Sequence, residues 1–223
     1  MKLNPKNWNS IVINNLLQFI FVFSSVYFAF WLTDRREQKE LEQVEKKAVE
    51  VMVNELQNNL KALESSQPYH DTLFNKLFKV YDSVIANPAS LKGVTLQAIF
   101  SGQLSRSYNT LGLPYLSNVS WDSFNRTQAF MVMDYDIVNA VNQHFRGQQL
   151  GVVTTANRLS DFFLSEAMFS TENQATHLLQ LIYLFREING QENSLITSTV
   201  EAIKLLEESY DLELSMTQKA DTL

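Results

Sequence analysis

The first feature along the chain is a gap in its charges. From Ile11 to Leu32, 22 residues carry no charge and 17 of them are apolar or aromatic. A helix of that length, rising about 1.5 Å per residue, spans about 33 Å, which matches a bilayer core of roughly 30 Å. Trp8 on one flank and Tyr27 and Trp31 near the other stand where headgroups would lie, and Asp34, Arg35 and Arg36 end the run abruptly. Val22-Phe23-Ser24 resembles a cleavage site, but bulky Tyr27, Phe28, Phe30 and Trp31 continue the run beyond it, so a retained anchor is expected over 11–32 and not a cleaved leader. Within it Asn14, Gln18 and Ser25 share one helical face. Two explanations stand level: the amides meet a partner helix, or Asn14 and Asn15 simply lie near the headgroups.

After the anchor the pattern turns amphipathic. Leu41, Val44, Ala48 and Val51 follow a three-four spacing, and Met52, Leu56, Leu60 and Leu63 continue an apolar stripe with a shift of phase. The anchor is therefore expected to run on as a stalk helix over 33–66, stopping before Pro68, because a residue preceding proline avoids helical geometry. Fewer than four clean heptads argues against an autonomous coiled coil. Residues 67–223 are expected to form a helical domain. Its first helix carries Leu73, Phe74, Leu77, Phe78, Tyr81, Val84 and Ile85 after a cap at Asp71. Thr95–Phe100 reads as a short helix and 103–119 as the main irregular connection. Ser120 caps a helix with Trp121 and Phe124, and a longer one from Asp134–Asp136 carries Ile137, Val141, Phe145, Val152, Leu159 and Phe162, bent at Gly147 and Gly151. Two more are expected, one ending near Asn189-Gly190 and one from Leu195 to Leu214. The expected fold is all-α: a transmembrane helix behind a short tail (1–10), a stalk, and a bundle of about five further helices. No later run is long and apolar enough for a second span, so the chain is expected to be single-pass.

Charge narrows the partners. All 24 acidic residues fall from Asp34 onward while Lys2 and Lys6 precede it, so residues 34–223 carry −8 and make a poor general nucleic-acid binder. Without cysteine there is no disulfide framework, thiolate zinc site or cysteine nucleophile. Membrane side is contested: Arg35, Arg36, Lys39, Lys46 and Lys47 outnumber Lys2 and Lys6, which favours a cytoplasmic domain, but they alternate with acidic residues in a helix where intrahelical pairing accounts for them. The low charge density and abundant Ser, Thr, Asn and Gln tip the expectation toward the extracytoplasmic face of the cytoplasmic (inner) membrane.

The span closing at Trp31 and its charged stalk are followed by Ser120-Trp121-Asp122, Val132-Met133-Asp134, Ile137-Val138 and His144-Phe145. In this order of elements the chain resembles a group of uncharacterised bacterial single-pass membrane proteins, whose usual strongly basic tail it lacks. The resemblance implies a membrane helix plus a helical domain, with the bulk of the chain outside the cytoplasmic membrane. It implies no activity.

Candidate chemistry is sparse. His70, His144 and His177 are isolated, and Asp134 and Asp136 with His144 read as helix capping rather than a metal site. Gly147–Gly151 lacks the lysine of a phosphate loop, and Glu207, Glu208 and Asp211 read as a solvated face. No catalytic residue, metal ligand or cofactor is assigned. Tyr108, Tyr115, Trp121 and Phe124, with Phe130 beside them, are expected to complete a core; a recognition loop with Arg106 and Arg126 as cations is the competing reading. The leading expectation is a non-enzymatic, membrane-tethered interaction protein, assembling with itself or another membrane protein through Asn14, Gln18, Ser25, Leu41, Val44 and Ala48. The alternative is a ligand-sensing domain with a small-molecule pocket near Trp121.

Overall fold

The computed structural model describes residues 5–104 and 111–212, and every regular element among them is helical. Helix α1 runs unbroken from Pro5 to Ala86, 82 residues, and passes through two compact units, Met1–Lys47 and Ala48–Leu223.

In the first unit every side chain from Val12 to Glu40 is exposed, the apolar stretch included. By length and composition this stretch is a candidate membrane span. Beyond it the surface is tied by short-range pairs: the Arg35 guanidinium sits 4.6 Å from the Trp31 ring centroid, and Arg36 Nε lies 3.0 Å from Glu40 Oε1.

In the second unit α1 gains a buried face. Met52, Leu56, Leu60 and Leu63 are buried, as their spacing predicts, but the preceding turn is phased differently. Val49 and Val53 point inward, whereas Val44 and Val51 are exposed and Leu41 and Ala48 are half-buried. The helix then continues through Pro68 instead of stopping before it. Proline at an interior position removes one hydrogen bond and disfavours the helix by about 3 kcal/mol. Burial of Leu63, Leu73 and Leu77 on either side, worth about 1.5–3 kcal/mol each, outweighs that loss. Asp71 is consequently an interior residue, accepting a hydrogen bond from Asn189 Nδ2 at 3.1 Å, and does not begin a new helix.

Short elements follow: α2 (Leu96–Ile99), capped by Thr95 Oγ1 accepting from the Ala98 amide, and α3 (Val119–Phe124). Helix α4 (Tyr135–Gln148) leads into α5 (Thr154–Leu164) through a π-helical turn at Gln149–Val153 that contains Gly151. The predicted bend is thus a widening of the helix, marked by Thr154 Oγ1 reaching the carbonyl five residues back at 2.8 Å. After α6 (Glu166–Phe169) the last helix, α7 (Gln174–Ser209), is continuous for 36 residues. Two helices were expected there. Gly190 faces open space, and its roughly 1 kcal/mol penalty is small beside the burial of Ile188 and Leu195 on either side of it.

Helices α1 and α7 are antiparallel, pairing Ser66 with Glu192 and Asp71 with Asn189. The main core joins Leu73, Leu77 and Val84 of α1 to Leu96 and Ile99 of α2, Leu159 of α5, Met168 of α6 and Leu178, Ile182 and Phe185 of α7. A smaller cluster of Leu63, Val152 and Leu195 lies further along the same interface.

Candidate functional site

Several polar side chains buried in the second unit, Asn59, His70 and Gln148 among them, bond to one segment, residues 111–120, which enters α3 from an irregular stretch. An irregular backbone packed against a core must find partners for its amides and carbonyls. Helix α1 supplies them. Asn59 Oδ1 accepts from the Ser117 amide at 2.9 Å, and its Nδ2 donates to the Ser117 carbonyl at 2.7 Å and to Gln148 Oε1 at 3.1 Å. Gln148 Nε2 donates to the same carbonyl at 3.1 Å. Glu55 Oε2 accepts from the Ser120 amide at 2.9 Å, at the start of α3. At the other end Gly112 has φ +68°, and a Cβ there would stand 2.3 Å from Tyr69 Cδ1, so both conformation and space require glycine.

Two to three turns along α1 from Asn59 is a three-residue cluster with no exposure on His70 or Glu192 and little on Ser66. Glu192 Oε1 accepts from Ser66 Oγ at 2.6 Å, Glu192 Oε2 lies 2.8 Å from His70 Nδ1, and His70 Nε2 donates to the Leu111 carbonyl at 2.9 Å. A carbonyl oxygen only accepts, so Nε2 carries a hydrogen; the pair then shares one further proton between Nδ1 and Oε2. A charge-balanced pair with its lone pairs occupied avoids the large penalty of an isolated buried charge. Ser, His and Glu occur together here, but the Ser66 hydroxyl is directed to a carboxylate and both imidazole nitrogens are engaged. The cluster ties α1, α7 and the 111–120 segment together.

The aromatic residues of this region face one another. Trp121 and Phe124 are buried. The Trp121 ring stacks on Phe145 at 6.0 Å and meets Phe130 edge-on at 5.9 Å, and Phe124 meets Phe130 edge-on at 5.8 Å. Tyr115 instead projects outward, 86% exposed. Arg106, Tyr108 and Leu214 lie outside the described residues.

Asp134 caps α4, its Oδ1 accepting from the Asp136 and Ile137 amides at 2.8 and 3.4 Å. His144 is two and a half turns on, with Nδ1 3.1 Å from Ser198 Oγ. Since Ser198 Oγ donates to the Leu195 carbonyl at 3.2 Å, it accepts from His144, leaving Nε2 as a buried lone pair without a partner. Burial without an acceptor for the second proton lowers the imidazole from 6.5 to about 4. Among the described residues no three His, Asp or Glu side chains are grouped to hold a metal ion.

In the first unit Asn14, Gln18 and Ser25 are all exposed. Ser25 donates its hydroxyl to the Phe21 carbonyl within its own helix.

Of the clamp residues, Asn59, Ser66 and Glu192 are not singled out from sequence, where His70 stands only as an isolated histidine and Gln148 only within Gly147–Gly151. A signal was present: Asn59, Ser66 and His70 occupy core-facing positions of an α1 stripe otherwise made of Leu56, Leu60, Leu63 and Leu73. No family model, curated protein or solved structure matches the chain.

Proposed function

We propose that the chain is a non-enzymatic, single-pass membrane-tethered interaction protein, an accessory subunit of a homo-oligomeric or larger membrane complex. One observation carries this reading: the second unit buries a core of its own, while none of the apolar residues 12–32 of α1 is buried against this chain. An apolar surface of that length finds its solvent in a bilayer. The acidic helical domain is then held near the membrane, where confinement raises its effective concentration toward partners without strong contacts. The domain lies on the extracytoplasmic side of the cytoplasmic membrane: residues 34–223 are sparsely charged and rich in Ser, Thr, Asn and Gln, and the basic residues after the span, interleaved with acids, oppose that orientation only weakly.

The test is carbonate extraction with protease protection on intact and opened cells, followed by native purification in mild detergent. Expected are retention in the membrane fraction, protection of the domain until the outer barrier is opened, and recovery as an oligomer or with a stoichiometric membrane partner. A carbonate-soluble chain overturns the tether; a retained chain recovered only as a monomer overturns the subunit role.

A further inference from the structure

Helix α1 is unbroken from Val12 to Val44, so the directions of its side chains are fixed relative to one another. At about 100° per residue, Asn14, Gln18 and Ser25 fall within about 40° of a common direction, whereas Leu41 and Val44 point roughly 100–160° away from Ser25. Left-handed supercoiling would move the two stripes a further ~50° or so apart over this distance, not together. They cannot form a single two-helix seam.

We propose that the amide face of the anchor pairs with the same face of a second copy of this chain, and that the Leu41 and Val44 stripe lies outside that pair. The inference rests on the membrane-tether reading. Its chemical basis is hydrogen-bond self-complementarity. Asn14 and Gln18 are exposed and form no hydrogen bond among the described residues, and hydrocarbon offers no partner to an amide. Each amide carries both donor and acceptor. A parallel two-fold pair sets Asn14 against Asn14 and Gln18 against Gln18, and each gives and receives a bond. Ser25 donates to its own helix at Phe21, so on this face it acts as a small side chain that lets the backbones approach. The pair is set within the membrane, and the stalk does not continue it as a coiled coil.

The chain has no cysteine, so single cysteines in the full-length protein report proximity directly. Disulfide formation is measured in native membranes for Ser25→Cys and Leu32→Cys on the amide face. Phe30→Cys, on the side of Leu41 and Val44, controls for oxidant access within the membrane, and Leu41→Cys and Val44→Cys report on the stalk. Ser25→Cys and Leu32→Cys are expected to give dimer about tenfold more efficiently than the other three, and Asn14→Leu with Gln18→Leu to remove about that advantage from Leu32→Cys. Val44→Cys crosslinking as well as Leu32→Cys, or Leu32→Cys insensitive to loss of the amides, overturns the pairing while the tether stands. Crosslinking to a species other than the dimer overturns the second copy as occupant. A chain released by carbonate overturns both the pairing and the tether.

Discussion

Phe21, Phe23, Phe28 and Phe30 are between 57% and 71% exposed, while Phe124, Phe145 and Phe185 are at most 4% exposed. Both groups sit in helical or helix-flanked segments rich in the same residue types. They differ in what accompanies them. Around the buried phenylalanines, polar side chains are placed with partners: Glu192 with Ser66 and His70, Asn59 with Ser117 and Gln148. Such pairs appear where a segment is built to meet a specific neighbour in its own chain. Among the described residues the apolar stretch 12–32 has no such neighbour, and Asn14 and Gln18 form no hydrogen bond. Under the proposed reading its partners are lipid and another helix.

The largest expected effect separates the two regions. Replacing Glu192 by Ala leaves Ser66 and His70 without their buried acceptor and should lower domain stability by about 3–5 kcal/mol, read as a shift of the urea midpoint for the full chain in mild detergent, with membrane retention unchanged. A loss below about 1 kcal/mol, the size of an ordinary exposed pair, would mean the cluster does not hold the fold. The converse variant is Phe23→Arg, which puts a charge in the middle of the apolar stretch at about 2.5–3.5 kcal/mol. It should reduce the carbonate-resistant fraction and leave the unfolding midpoint of the domain in place.

Through His144, acid is expected to destabilise the second unit. His144 stays neutral in the fold down to about pH 4 because it is buried, against 6.5 for the free side chain. Between those values the unfolded chain binds a proton that the folded chain does not. The stability tied to His144 is thus fully present above about 6.5 and is lost as pH falls toward about 4, by about 3 kcal/mol in total, with no further loss below. Unfolding at pH 7 and pH 4.5 should differ less in His144→Leu than in the parent chain; an unchanged difference removes His144 as the cause.

The smallest expected effect is at Gly112. Alanine there combines a positive φ with a Cβ 2.3 Å from the Tyr69 ring, and should cost about 1–3 kcal/mol. Tyr69→Ala in the same chain should relieve the contact but not the backbone strain, so partial recovery is expected in a double-mutant cycle.

What the sequence determined by itself is local and periodic. The uncharged run 11–32, the buried positions Met52, Leu56, Leu60 and Leu63, the Asp134 cap and the helical class follow from interactions within a few residues, and the tertiary structure retains them. The tertiary structure alone decided whether a local breaker acts. Pro68 and Asn189-Gly190 would end isolated helices, yet α1 and α7 run through them because each is held on both sides by contacts 118–126 residues away in sequence, such as Asp71 with Asn189 and Ser66 with Glu192. The partners of the clamp on 111–120 were illegible for the same reason: the stripe places Asn59 and His70 on the core-facing side, but only the fold brings the Ser117 and Leu111 carbonyls to hydrogen-bond distance. Side-chain propensities act over one or two helical turns at tenths of a kcal/mol to about 3 kcal/mol, whereas a buried interface sums many contacts from the whole chain, and where the two conflict the larger sum prevails.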